Sequence, residues 1–209
     1  CTMTSTVKSI TAEWAQSGGI AGYADATSVV EKCTVTGSVA SMNHRVGGIV
    51  GELRGGKIVD CRFSKISEAF TNGHSIGGIV GGMYGGEVSN CTVEGIVGSK
   101  DDYCGGVVGN FAEGKVLDCT VQGCAEVSSY NDYCGGIAGA MYTTGAAIID
   151  GCTVYCDVTT NNIVGGIVGY IRPNTSGGKI VVANSIYVGG EVYALGFNSN
   201  RYNLAGGIT

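Results

Sequence analysis

One proline, one tryptophan, two histidines and a charged fraction of only 14% are what this chain of 209 residues is short of. A chain so poor in proline and charge is neither a proline-rich linker nor a charged disordered segment. The 12 lysines and arginines are scattered among 17 acidic residues, for a net charge of −5. No basic footprint results, so no nucleic-acid partner is expected. No run approaches the roughly 18–20 apolar residues that a membrane helix needs, and the first residues lack the basic-then-apolar order of a leader. Membrane insertion is therefore not expected. Nor does any stretch keep a 3.6-residue apolar period long enough for a helix.

Glycine is what the chain has in abundance, 38 residues, without the three-residue period of collagen. Much of it falls into a Gly-Gly-(Ile/Val)-(Val/Ala)-Gly box at 18–22, 47–51, 77–81, 105–109, 135–139 and 165–169, opening once more at 206–209. Box starts lie 28 to 30 residues apart, except for a last gap of 41. A second box of the form Cys-Thr-Val follows each first one: Cys33-Thr34-Val35, Cys91-Thr92-Val93, Cys119-Thr120-Val121 and Cys152-Thr153-Val154, with Cys61-Arg62-Phe63 and Cys1-Thr2-Met3 as looser copies. Ser185 replaces the cysteine in the sixth unit. Residues 1–209 are thus expected to form a single repeat domain that starts and ends in mid-repeat, as a piece of a longer protein would.

Short segments rich in Val and Ile, bounded by glycine pairs, predict strands and an all-β fold. Three apolar columns are expected to face inward: Ile20, Ile49, Ile79, Val107, Ile137 and Ile167; Val30, Ile58, Val88, Val116, Ile149 and Val182; Met3, Val35, Phe63, Val93, Val121 and Val154. Strand parity places a corner just before the cysteine. Asp60, Asn90, Asp118, Gly151 and Asn184 stand there, types that tolerate left-handed backbone, with Lys32 the exception. The pairs Gly55-Gly56, Gly85-Gly86 and Gly177-Gly178 supply a second bend. One unit is then one coil of a parallel β-solenoid, expected to be a right-handed β-helix for coils of this length. Repeated hairpins in a β-prism or propeller are the alternative architecture, disfavoured because propeller blades need about 40 residues or more.

The glycine box followed by a glycine pair and an Asn-Cys or Asp-Cys box resembles the GLUG-motif repeat. The residues that carry the resemblance are Gly47 to Gly51 with Asp60-Cys61, Gly77 to Gly81 with Asn90-Cys91, and Gly105 to Gly109 with Asp118-Cys119. Such repeats occur in bacterial surface proteins and in non-catalytic regions of some IgA peptidases. The resemblance implies a cell-surface or secreted bacterial setting, a structural or adhesive role, and no catalytic residues to carry over. Binding of a host glycan or host protein is one alternative role, and an accessory region of a larger IgA peptidase-like enzyme is another.

Six of the 10 cysteines, Cys1, Cys33, Cys61, Cys91, Cys119 and Cys152, take the same place in successive units. A structural column of buried thiols is the reading preferred over disulfides or a metal, since no Cys-x-x-Cys pair occurs. Cys104 with Cys134, and Cys124 with Cys156, are close enough in register for bridges. His44 and His74 stand three residues before the box, where later units carry Asp102, Asp132 and Asn162. That polar ladder could hold a divalent cation, although a solvated turn row is the plainer reading.

No catalytic, metal or cofactor site is assigned, because carboxylates do not converge on any column and no facing pair stands out. For ligand binding, the insertion carrying Tyr193, Phe197, Asn198, Arg201 and Tyr202 mixes aromatic and polar groups suited to a shallow sugar surface. Trp14 is expected to cover a coil from the side.

Overall fold

Strands in this protein pair only with their counterparts one coil away, and always in parallel. The architecture comes from a computed structural model that describes residues 1–4, 6–9, 16–42, 44–64, 68–122, 126–143, 145–173, 177–195 and 204–206. One coil shows the plan. Ser75–Gly77 leads through the glycine box into the long strand Val80–Ser89. Thr92–Val93 and Ile96–Ser99 follow, and Cys104–Gly105 opens the next coil above Ser75–Gly77. Repetition builds four parallel sheets, one of ten strands, six of them along its main path, and three of seven. The result is a β-solenoid of about six turns. No antiparallel pair occurs among the described strands, which rules out the hairpin-based prism or propeller.

Register keeps equivalent residues on top of one another. Val30, Ile58, Val88, Val116, Ile149 and Val182 follow in sequence through five pairings. Met3, Val35, Phe63, Val93, Val121 and Val154 do the same, and Tyr187 extends their column. All three expected columns face the interior. Their central members are fully buried, whereas Met3, Ile20, Val30 and Val182 near the two ends are only partly covered. Such burial contributes roughly 1.5–3 kcal/mol for each large aliphatic side chain.

Space, not conformation, explains the box. None of its glycines has a positive φ among the described residues. A Cβ on the first glycine would meet the carbonyl oxygen of the fourth box residue at 1.8 Å for Gly47, 2.1 Å for Gly77 and 2.0 Å for Gly105. On the second it would meet the next coil's backbone and the Thr-Val column, 2.4 Å from Gly106 O and 2.6 Å from Val93 for Gly78. On the fifth it would strike the strand before the box one coil back, 2.6 Å from Val46 N for Gly81 and 2.5 Å from Ile76 N for Gly109. Two strands therefore fold back with their backbones in contact. Pairing continues through the turn, since Ile49 N–H donates to Ile79 O and Ile79 N–H to Val107 O, each at 3.1 Å. No buried amide of the turn is left over there.

Corners fall where parity demanded. Asp60, Asn90, Asp118, Gly151 and Asn184 all adopt positive φ, and so does Lys32 at 50° despite its unsuitable side chain. Across the coil, Gly55, Gly56, Gly85, Gly86 and Gly177 take positive φ as well, and they bend the long strand.

Two substitution pairs test this account. Gly78→Ala should cost about 3 kcal/mol or prevent folding, because the methyl would overlap backbone. Gly98→Ala should be neutral or gain up to about 1 kcal/mol, since its Cβ would meet nothing nearer than Phe70 at 3.7 Å and its φ is ordinary. Chemical denaturation midpoints distinguish them, and equal losses at both positions would refute the steric reading. Lys32→Asn should gain about 0.5–1 kcal/mol by relieving left-handed strain, the exposed ion pair to Glu31 being worth little. An unchanged midpoint would count against it.

Candidate functional site

A hydroxyl column positions the polar face. Ser41, Thr71, Ser99, Ser129 and Thr160 are all buried at the end of their strands, in the turn that leads to the glycine box. Ser99 Oγ donates to Gly73 O of the preceding coil at 3.1 Å and accepts from Asp101 N–H at 3.1 Å. Thr71 Oγ accepts from Gly73 N–H at 2.9 Å, and Thr160 Oγ donates to Asp132 O at 2.7 Å. Ser99 thus clamps its own turn and the neighbouring one, Thr71 its own, and Thr160 the neighbouring one. The signal was a Ser or Thr five or six residues before the boxes at 47, 77, 105, 135 and 165, absent from the sequence-based expectations.

Those clamped turns carry the expected ladder. His44 stacks on His74 with ring centroids 5.4 Å apart. His74 Nδ1 lies 3.1 Å from Asp101 Oδ2 and 3.6 Å from Asp102 Oδ2. Asp132 carries the row into the next coil close enough for its charge to bear on Asp102, and Asn162 Nδ2 donates to Asp132 Oδ1. Exposure falls along the row, from 48% for the His74 side chain to 2% at Asn162. The reading as a solvated turn row is thereby corrected: stacking in register takes its later rungs out of water. The expectation that carboxylates do not converge is corrected too, since Asp101, Asp102 and Asp132 meet here. One ligand atom from each of His74, Asp101 and Asp102 lies within 4.8 Å of the others, a mixed nitrogen and oxygen set that borderline divalent ions accept.

Electrostatics follow from this crowding. Burial first, then the Asp101 and Asp132 charges, raise the Asp102 carboxyl to about 6. Burial first, then His74 and Arg45, lower His44. Beside the ladder, Glu52 is 1% exposed and accepts from Arg45 Nη1 at 2.7 Å, from Arg54 Nε and from Gln16 Nε2 at 3.1 Å. Both guanidinium groups also lie 5.1 Å from the Tyr84 ring centroid.

Four tyrosines continue the face. Tyr103 stacks on Tyr133 at 5.6 Å and 9°, Tyr133 meets Tyr170 at 4.6 Å, and Tyr142 meets Tyr103 edge-on at 5.6 Å. Burial raises the Tyr103 and Tyr133 hydroxyls. Between this cluster and Tyr84 opens a cleft of about 330 Å³, lined by Arg45, Ser75, Asp102, Asn110 and both histidines.

The cysteine column stands with one correction. Cys61, Cys91, Cys119 and Cys152 are buried free thiols, but Cys1 and Cys33 form a disulfide. Their neighbouring strands bring the two Cα atoms to 4.5 Å, close enough to bridge. Cys61, Cys91 and Cys119 donate to the carbonyl two residues earlier at 3.3–3.4 Å. Hydrogen bonds to Cys152 and Cys91, and then burial, hold the Cys119 thiol well above the usual range. Cys104 and Cys134 are register partners yet stay free, and Cys156 is likewise a free buried thiol. Cys124 lies outside the described residues.

Of the insertion candidates, Tyr193 is exposed and pairs in register with Thr159, far along the stack from the cleft. Phe197, Asn198, Arg201 and Tyr202 lie outside the described residues, as does Trp14.

Asp102→Asn should stabilise the protein at pH 7 by about 1 kcal/mol, after allowance for solvent screening. Between its ordinary value of 3.8 and the folded value of about 6, the folded protein keeps a proton that the unfolded chain releases. Stability from this group therefore falls as pH rises through that window. The gain should vanish near pH 4, and thermal midpoints at pH 4 and pH 7 that shift equally would refute the assignment.

Neither a curated protein nor a solved structure matches the chain. The family model of the GLUG motif matches residues 15–40 and 72–98. Each match begins before a glycine box and runs through the following cysteine box into the next strand. With the motif falling on the same part of two coils, the chain carries GLUG-motif repeats.

Proposed function

We propose that this repeat module serves a bacterial cell-surface or secreted protein as a non-catalytic scaffold that holds an adhesive face. The observation behind this reading is the parallel coil-to-coil pairing that runs in four sheets through the described coils. Stacked coils of this kind make a stiff body with one side chain row per position, a geometry suited to spacing and to extended contact. The Cys1–Cys33 disulfide supports an oxidising compartment, because such bonds persist outside the cytosol.

A binding role, the second reading, is favoured by the tyrosine cluster beside the cleft. Aromatic rings with polar rims are the chemistry of glycan and protein surfaces alike. An accessory place within a larger peptidase-like protein is compatible with the same scaffold and rests on the family resemblance alone.

Antibody raised to this chain should label intact, unpermeabilised cells of the source bacterium or its culture supernatant, and external protease should remove the cell-bound signal. Labelling that appears only after permeabilisation would overturn the surface assignment.

A further inference from the structure

We propose that the cleft between Tyr84 and Tyr103 is a binding site for a neutral saccharide, one pyranose ring seated over Ser75 and against the Tyr103 ring. This names a ligand for the adhesive face and rests on reading the chain as a non-catalytic module.

Register produces the slot. Gln16, Arg45 and Ser75 stack in turn, and the Ile76–Cys104 pairing puts Ser75 beside Tyr103, which is followed by Tyr133. Ser75 is the one small residue in this run of long side chains. One face of Tyr103 is covered by Tyr133, and on the side of Ser75 the column steps down. In the adjoining row, Glu52, Gly82 and Asn110 follow one another, and Gly82 again supplies no side chain. Arg45 lies over Gly82, since a Cβ there would come 2.8 Å from Arg45 Cδ. The gap is therefore one coil tall, about 4.8 Å, bounded by an aromatic ring on one side and a cation–π pair on the other. Its volume of about 330 Å³ lies at the small end of ligand pockets.

The lining decides the chemistry. Asn110 lines the cleft, and its Oδ1 is buried from solvent without a hydrogen-bond partner, so a donor from a ligand reaches it when the side chain turns outward. Charge inside the cleft is already paired: Arg45 with Glu52, and His74 with Asp101 and Asp102. An anion would meet the Asp102 carboxylate and a cation would meet Arg45. A neutral ring rich in hydroxyls meets neither penalty. Its axial C–H face suits Tyr103, and its hydroxyls suit Asn110 and the His–Asp rim. A divalent ion on His74, Asp101 and Asp102 would leave Asn110, Ser75 and Tyr103 without a part.

The test uses the purified chain with a panel of neutral mono- and disaccharides, screened by ligand-observed NMR at millimolar sugar and followed by calorimetry. Ser75→Tyr should fill the slot by continuing the Tyr103–Tyr133 row, and Asn110→Leu should remove the acceptor. Each should weaken binding at least tenfold; Ser75 is only 4% exposed, so Asn110→Leu, at a half-buried position, is the variant whose thermal midpoint should stay near that of the parent. Binding without such loss, or binding confined to acidic sugars or metal ions, would overturn the site, and so would no binding by any neutral sugar. Sugar bound and then cleaved, seen by product analysis, would uphold the site and sink the non-catalytic reading instead. No sugar bound, with surface labelling intact, would leave the scaffold reading standing.

Discussion

Backbone touching backbone across the glycine box is the constraint from which the rest of this fold descends. Where the chain turns from the short strand before the box into the long strand after it, no Cβ fits at the first, second or fifth position. Close approach flattens the coil at that place, so that the second glycine lies directly on the Thr-Val column, as Gly106 lies on Val121 and Gly136 on Val154. The two sequence boxes are thus the two sides of one contact. Larger residues opposite the glycines fill the space that the missing side chains leave, and dense packing follows. A spacing of 28 to 30 residues is what returns each box to its own height above the last.

Stacking of like on like has an electrostatic consequence that an aliphatic column hides. Any residue placed three before the box must sit on its counterpart, so His44 lies over His74 and Asp102 over Asp132. Repulsion between neighbouring carboxylates is relieved in three ways here. His74 approaches Asp101 and Asp102, Asn131 Nδ2 donates to Asp101 at 3.0 Å, and Asn162 donates to Asp132. Burial, and then the repulsion that remains, raise the Asp102 carboxyl to about 6. Glu52 shows the other solution: a buried charge surrounded by two guanidinium groups and an amide.

Periodicity made the repeating part of this molecule legible, and it left the rest dark. The inner columns and the corner before the cysteine recur in six units and the glycine-pair bend in three, so repetition itself sets them apart from their surroundings. Even the odd residue Lys32 was placed correctly at a corner, since its neighbours over-determine the backbone there. The Cys1–Cys33 bridge was less readable, because the same spacing permits a thiol pair and a disulfide. Tyr142 and Tyr170 gave no warning at all. Tyr170 stands in a row with Glu52, Gly82, Asn110 and Ala140, Tyr142 shares its place in the repeat with Tyr84 alone among tyrosines, and only the fold brings them to Tyr103 and Tyr133. Likewise the cleft depends on Ser75 being small where Arg45 and Tyr103 are long. That is a property of three residues about 30 apart, and no local motif contains it.

Regular and irregular positions consequently divide the labour of the molecule. Inner columns tolerate little change, because each residue touches its own kind above and below and a misfit is felt twice. Outer rows carry no such restriction: a long side chain beside a short one leaves a recess instead of a cavity, and water or a ligand can fill it at little cost to folding. Distinct features can therefore be written onto single coils without disturbing the stack. Within the described residues, the departures Ser75, Tyr84 and Tyr103 fall on two neighbouring coils and line one opening. A purely repetitive spacer has no need of such a recess, and the meeting of these departures at one place is the physical ground for a ligand there.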